Sequence, residues 1–291
     1  MNHLNIRHIS MRTFMQPTIA QLRHFFDSSL AEDVGIGGDI TSDAVIREQK
    51  NINFTISLRE KAVLCGYIAS DYFLQNYTSI KYRNHLSDGD KGGSGSVILS
   101  GSGDAFHILK FERVILNYLQ HLSAVATLTH YYVKAVEGTG VRICDTRKTI
   151  PGMRMLQKYA VRCGGGHNHR YALDSSILIK DNHISICGSV LEAVQNARKY
   201  GPHYSKIEVE CDSLEQVDEA LRAKADIIML DNMDLASLKQ AIKIIGTSAE
   251  IEVSGGVNLD NVKEIANLGV HYISIGRLTH SAPSIDIGLD I

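Results

Sequence analysis

Residues 145–152 read DTRKTIPG, so Arg147 and Lys148 directly follow the short β-branched run VRIC. Arginine offers a planar fork that can grip a carboxylate in two places, and lysine offers a compact point charge suited to phosphate. Residues 162–170, RCGGGHNHR, set three consecutive glycines ahead of His169 and Arg170. Glycine weakens helix and strand alike, so a triple glycine is not core; it lets backbone pass close to a ligand or to another strand. Lys180 ends a further apolar run, SILIK. On their own, Arg147 and Lys148 could be two solvated bases on a loop, and His169 a structural histidine. With Arg170 and Lys180 added, three strand-end loops aim cations at one spot.

Two further groups suit that spot. EVSGGV (252–257) and SIGRLTH (274–280) are glycine-rich turns after late strands. Their exposed backbone N–H groups, at Ser254, Gly255, Gly256 and Gly276, could cradle a phosphate, or simply make tight turns. Glu210 and Asp231 end the two preceding strand runs. Carboxylates beside cations either form salt bridges with them or meet a metal ion and sugar hydroxyls. Arg113, in FERVILNYLQ, interrupts an apolar helical pattern and must snorkel, pair or enter a site. Together these residues call for a polyanion carrying a sugar and phosphates beside a second small anion.

The scaffold around these residues has a rhythm. From about residue 141, short β-branched runs (VRICDT, SILIKDN, KIEVEC, DIIMLDN, EIEVSGG, HYISIG) alternate with segments of helical period. Ser213, with Gln216 three residues on, has capping-box spacing, and NLDNVKEIANLG reads as a helix stopped by Gly269. Pro151 suits a helix start. Alternation of this kind predicts βαβ units and a parallel sheet. Polar residues at nearly every strand's C-terminal end favour an incomplete α/β barrel of about six parallel strands over an open sheet, because barrel strand ends converge on one site. Residues 17–125 read as a smaller α+β domain: a helix at 18–33, strands NFTISLRE, AVLCGYI and SVILSGSG, then one or two long apolar helices. The barrel spans 126–282, the tail 283–291 packs back on the first domain, and 1–16 is a terminal extension.

Composition narrows the class. With 291 residues, 44% hydrophobic and 21% charged, the chain is an ordinary globular protein. A net charge of −2 makes nucleic acid a poor partner. It hides a division, since residues 142–180 carry eight bases against two acids and 206–234 carry nine acids against three bases. No apolar run is long enough to span a membrane. The five cysteines are scattered without a CxxC pair, which suits free thiols in a reducing cytoplasm.

As a set, DTRKTIPGMRMLQKYAVRCGGGHNHR, LDSSILIKDNH, FERVILNYLQHLSAVAT, IEVECDSLEQVDEAL, EVSGGVNLDNV and ISIGRLTHSAPSIDIGLDI resemble the quinolinate phosphoribosyltransferase family, over most of residues 31–291. The resemblance implies an N-terminal open sandwich plus an incomplete α/β barrel. It implies transfer of phosphoribosyl from phosphoribosyl pyrophosphate to quinolinate with loss of CO2, dependent on Mg2+. It further implies that Arg147, His169, Arg170 and Lys180 hold quinolinate, joined by Arg113 from the partner of a homodimer. Lys148, Glu210 and Asp231 would be catalytic and face phosphoribosyl pyrophosphate, with Ser254, Gly255, Gly256 and Gly276 on its 5′-phosphate. Mg2+ would be held mainly by substrate, with Glu210 and Asp231 as candidate ligands. The chain departs from the family pattern at Arg277, where a small residue is expected, and at His167, where an apolar one is. The alternatives are a paralogous phosphoribosyltransferase for another small anion, or a phosphate-binding barrel without turnover.

Overall fold

The computed structural model describes residues 17–76 and 80–291, so the extension at 1–16 lies outside the described residues. These residues form two units. One comprises the chain up to 130 together with 150–165 and 281–291; the other comprises 131–149 and 166–280.

The first unit opens with α1 (Ile19–Val34), started by Thr18, whose hydroxyl accepts from the Gln21 N–H while the Gln21 side chain takes the Thr18 N–H. A short α2 (Ile40–Val45) follows, N-capped by Asp39. Strands β1 (Asn51–Leu58), β3 (Lys81–Asn84) and β5 (Val97–Asp104) join β12 (Ile287–Asp290) in an antiparallel sheet of order β12-β1-β5-β3. A second small pairing joins β2 (Ala62–Val63) to β4 (Lys91–Gly92). The run AVLCGYI is therefore not one strand. Gly66 takes φ +108 and turns the chain into α3 (Tyr67–Gln75). The Val63 and Cys65 N–H groups go instead to the hydroxyls of Thr127 (2.9 Å) and Ser123 (3.0 Å). Both lie on α4 (Ala105–Ala135), a single 31-residue helix whose last turn passes into the second unit. Aromatic rings fill this unit's core: Phe26 meets Tyr118 edge-on at 5.0 Å, and Phe73 stacks on Phe111 at 5.9 Å. α5 (Arg154–Cys163) also belongs here, and its start differs from the expectation at Pro151. Gly152 at φ +80 prevents Pro151 from entering the helix, and the chain turns before Met153 caps it.

The second unit is built on six parallel strands, β6 (Arg142–Cys144), β7 (Ile177–Ile179), β8 (Ile207–Cys211), β9 (Ile227–Asp231), β10 (Glu250–Ser254) and β11 (Tyr272–Ser274), in the order β6-β11-β10-β9-β8-β7. β6 and β7 are end strands that do not pair with each other, so the sheet is an incomplete barrel wall. Helices α6 (Asp181–Cys187), α7 (Val190–Tyr200), α8 (Leu214–Arg222), α9 (Leu235–Ile245), α10 (Val262–Ala266) and α11 (Arg277–His280) connect the strands. Ser213 caps α8 as its spacing predicts. α10 stops at Ala266, short of Gly269: Leu268 N–H bonds the Ile265 carbonyl in a tighter turn, then Gly269 at φ +87 redirects the chain. Strand alternation sends Val209, Ile228, Leu230, Ile251, Val253 and Ile273, all buried, to one face. The other face carries Glu208, Glu210, Met229, Asp231, Glu252, Ser254 and Ser274.

Candidate active site

At the C-terminal ends of the parallel strands the second unit holds a cavity of about 460 Å³, within the range that suits small ligands. Its lining includes Arg147, Lys148, His169, Arg170, Lys180, Glu210, Asp231, Ser254, Gly255 and Gly256. All but His169 and Arg170 come from a strand end or the loop beyond it, and those two follow the segment that pairs with β6 through His167, so setting the strands side by side is what gathers them.

The glycine segment is placed by backbone pairing. His167 donates its N–H to Ile143 (2.8 Å) and accepts from Asp145 N–H (3.1 Å), which lays the chain beside β6 on its open edge. That contact uses only His167 backbone, so the departure from an apolar residue there costs nothing in this pairing. Gly165 takes φ +92 to make the turn, and a Cβ on Gly164 would lie 2.3 Å from the Ala126 carbonyl oxygen. Asp145, fully buried, then anchors the next two residues: it accepts from the Asn168 amide at 2.6 Å and the His169 N–H at 2.9 Å.

The His169 ring points inward. Its Nε2 lies 3.1 Å from Glu208 and 3.4 Å from Glu252, and its Nδ1 accepts the Arg170 N–H at 2.8 Å. The Ser274 hydroxyl also donates to Glu252. Burial, with Glu208 beside it, pushes the Glu252 carboxyl up to about 7. Arg170 donates Nη1 to the Ser176 carbonyl at 3.1 Å, and its Nε is buried with no hydrogen-bond partner. Burial and the neighbouring Arg147 guanidinium hold Arg170 below the usual arginine range. Two cations pressed together at reduced solvation, one with an orphaned donor, are a receptor for an anion.

The acids behave in two ways. Glu210 forms a close ion pair with Lys180, as the salt-bridge alternative expects. Asp231 accepts from the Asn232 amide at 2.7 Å. Asn232 itself adopts φ +53, its N–H bonded to the Ser254 carbonyl, and its side chain occupies the space a Gly255 Cβ would need, 2.2 Å away. Gly255 and Gly256 both take positive φ, at +84 and +65, turning their backbone along the cavity. A Cβ on Gly276 would lie 2.9 Å from the Lys148 side chain and 3.4 Å from the His280 ring, which places Gly276 beside the lining. Arg277 begins α11.

Arg113 does not line this cavity. It stands on α4 within the first unit, over half exposed, with Glu112 3.9 Å away. Sequence reading missed Thr146, Leu178, Met229, Asn232 and Ser274 in the lining, and Glu208 and Glu252 beneath it. The two glutamates had a signal: in KIEVEC and EIEVSGG, acids recur at period two inside apolar parallel strands.

Comparisons with known proteins identify the family. The family model described as quinolinate phosphoribosyl transferase, C-terminal domain, matches residues 125–290, and its N-terminal counterpart matches 39–123. A Bacillus subtilis protein named probable nicotinate-nucleotide pyrophosphorylase [carboxylating] is 40% identical over 292 residues, covering 100% of this chain and 95% of that protein. A Methanocaldococcus jannaschii protein of the same name is 44% identical, covering 90% of this chain and 94% of its own length. The crystal structure of nicotinate-nucleotide pyrophosphorylase from Ehrlichia chaffeensis superposes with a TM-score of 0.90 at 44% identity, covering 95% of this chain and 99% of the other.

Proposed function

The chain belongs to the quinolinate phosphoribosyltransferase family, and from that premise we propose that the strand-end cavity is where its reaction takes place. The enzyme is a glycosyltransferase-type phosphoribosyltransferase of NAD biosynthesis. It transfers phosphoribosyl from phosphoribosyl pyrophosphate to the ring nitrogen of quinolinate, releasing pyrophosphate and CO2 and giving nicotinate mononucleotide.

In this reading Arg147, Arg170 and Lys180 take quinolinate's two carboxylates, with His169 beside them. Lys148 faces the pyrophosphate. Backbone N–H groups of the Ser254–Gly255–Gly256 turn, with Gly276, hold the 5′-phosphate. Glu210 and Asp231 face the ribose. The observation that supports this most is the cation cluster: Arg147, Lys148, Arg170 and Lys180 line one cavity, and Arg170 Nε there lacks a partner. Two substrates that repel each other are thereby brought together, and positioning is most of the catalysis required.

The reaction is a substitution at C1 followed by loss of CO2. The bond from C1 to pyrophosphate breaks, leaving an oxocarbenium-like ribose that the Glu210 and Asp231 carboxylates stabilise. The quinolinate nitrogen attacks C1 and becomes a pyridinium. The adjacent 2-carboxylate then leaves as CO2, its bonding electrons stay at C2 beside the positive nitrogen, and C2 takes a proton from water. Glu210 and Asp231 end neighbouring strands and offer the hard oxygen donors that suit Mg2+. When bound, Mg2+ neutralises charge on the departing pyrophosphate.

Arg113, exposed on α4, completes the site of a second copy in a homodimer. All five cysteines are free thiols, and among the described residues no helix is long and apolar enough to cross a membrane; a reducing cytoplasm is the compartment this supports. The test is direct. Protein, quinolinate, phosphoribosyl pyrophosphate and Mg2+ should yield CO2 and nicotinate mononucleotide in equal amounts. Binding of both substrates with no CO2 released would overturn the proposal.

A further inference from the structure

Beneath the cations sit two carboxylates that the reaction above leaves without a role. Glu208 and Glu252 have side chains only 6% and 4% exposed, on strands separated by β9. Both reach the same atom, Nε2 of His169. Burying two carboxylates together is costly, and shape alone would be served better by apolar side chains. Their geometry shows what they hold. Because His169 Nδ1 accepts the Arg170 N–H, Nδ1 carries no hydrogen, and the ring proton sits on Nε2, facing the glutamates. Both ring nitrogens are thus committed inside the protein. Arg170 is in turn tied at two points, its N–H to His169 and its Nη1 to the Ser176 carbonyl, leaving Nε buried and unbonded.

We propose that Glu208 and Glu252 are positioning residues: they fix His169 as its Nε2–H tautomer, so that Nδ1 anchors the Arg170 backbone and aims the guanidinium at the substrate anion. His169 then serves quinolinate through Arg170 rather than by donating a ring N–H to it. The identity of the anion rests on the function proposed above; the tautomer does not.

The test compares two double variants of the full chain. Glu208→Gln with Glu252→Gln keeps both acceptors, whereas Glu208→Leu with Glu252→Leu keeps the volume and removes them. In ring-15N-histidine spectra, with His169 assigned by its loss in His169→Asn, wild type and the Gln pair should show the Nε2–H tautomer and the Leu pair should lose it. The Leu pair should raise KM for quinolinate about 10–100-fold, the scale of a misaimed binding group. KM for phosphoribosyl pyrophosphate should stay within about 2-fold, since the displaced groups face the other substrate, and the Gln pair should recover most of the loss. Should the Leu pair fail to fold, Glu208→Leu alone removes the nearer acceptor and is read in the same way. An unchanged tautomer in the acceptor-free variant, or an equal rise in both KM values, overturns the proposal. A wild-type protein that does not turn over quinolinate would instead sink the functional reading, leaving the tautomer result to decide this one.

Discussion

In the proposed function Arg147 is one of the three cations that take quinolinate's carboxylates. It sits beside Arg170 in a cavity that also holds Lys148 and Lys180. Arg147→Ala should cut kcat/KM for quinolinate by about 100-fold or more, with the circular dichroism spectrum unchanged. Near-normal turnover would remove it from the site. The cation loops were legible because Arg, Lys and Gly-Gly-Gly at strand ends have few structural uses. Glu208 and Glu252 left only a period-two recurrence of acids, which a solvated strand face produces as well until its neighbours are known. Their burial has a measurable signature. The Glu252 carboxyl, ordinarily near 4.5, is raised to about 7, so the folded protein holds its proton more tightly than the unfolded chain does. Its favourable contribution is full below pH 4.5 and is lost as pH rises through 7. Glu252→Gln removes that loss: its melting temperature relative to wild type should climb across this interval and then level off. A constant offset at every pH would contradict it.

Elements were readable where one local force dominates. The six parallel strands of the second unit and the Ser213 cap follow from apolar runs and cap chemistry, and the structure has the strands within three residues of the expected runs. AVLCGYI reads as one strand, but only Ala62–Val63 pair as one, and the Val63 and Cys65 N–H groups go to Thr127 and Ser123 hydroxyls on α4, far away in sequence. Period-two patterning carries no trace of such a partner. The glycines of RCGGGHNHR likewise announce an unusual path without saying which neighbour demands it. Gly164 answers to Ala126, whose carbonyl oxygen would stand 2.3 Å from an added Cβ. Backbone cannot yield as a side-chain tip can, so Gly164→Ala should destabilise the protein by about 1–3 kcal/mol in denaturant titration, as overpacked sites do. A change within measurement error would show that α5 can shift to admit a methyl group.

For the molecule as a whole, the change of rhythm near residue 141 is what suggests two parts in the sequence, and a site shared between two chains is suggested only by family resemblance. No spacing rule could propose Arg113 for a neighbour's chemistry, because a helix pattern describes its own chain alone. The homodimer is testable by complementation. Arg113→Ala and Lys148→Ala proteins, each nearly inactive, should regain activity when mixed, because one mouth in each hybrid pair would receive intact residues from both chains. Absence of any recovery, with subunit exchange verified, would place each site within one chain. The first unit's antiparallel sheet has its own whole-chain property: β12, at residues 287–290, pairs with β1, at 51–58. Synthesis runs from the other end, so β1 waits with an open hydrogen-bonding edge until residues 287–290 have been made. That edge is the one on which a half-made chain could recruit a wrong strand. The N-terminal sheet is therefore completed only after every residue of the second unit, 131–149 and 166–280, has been made.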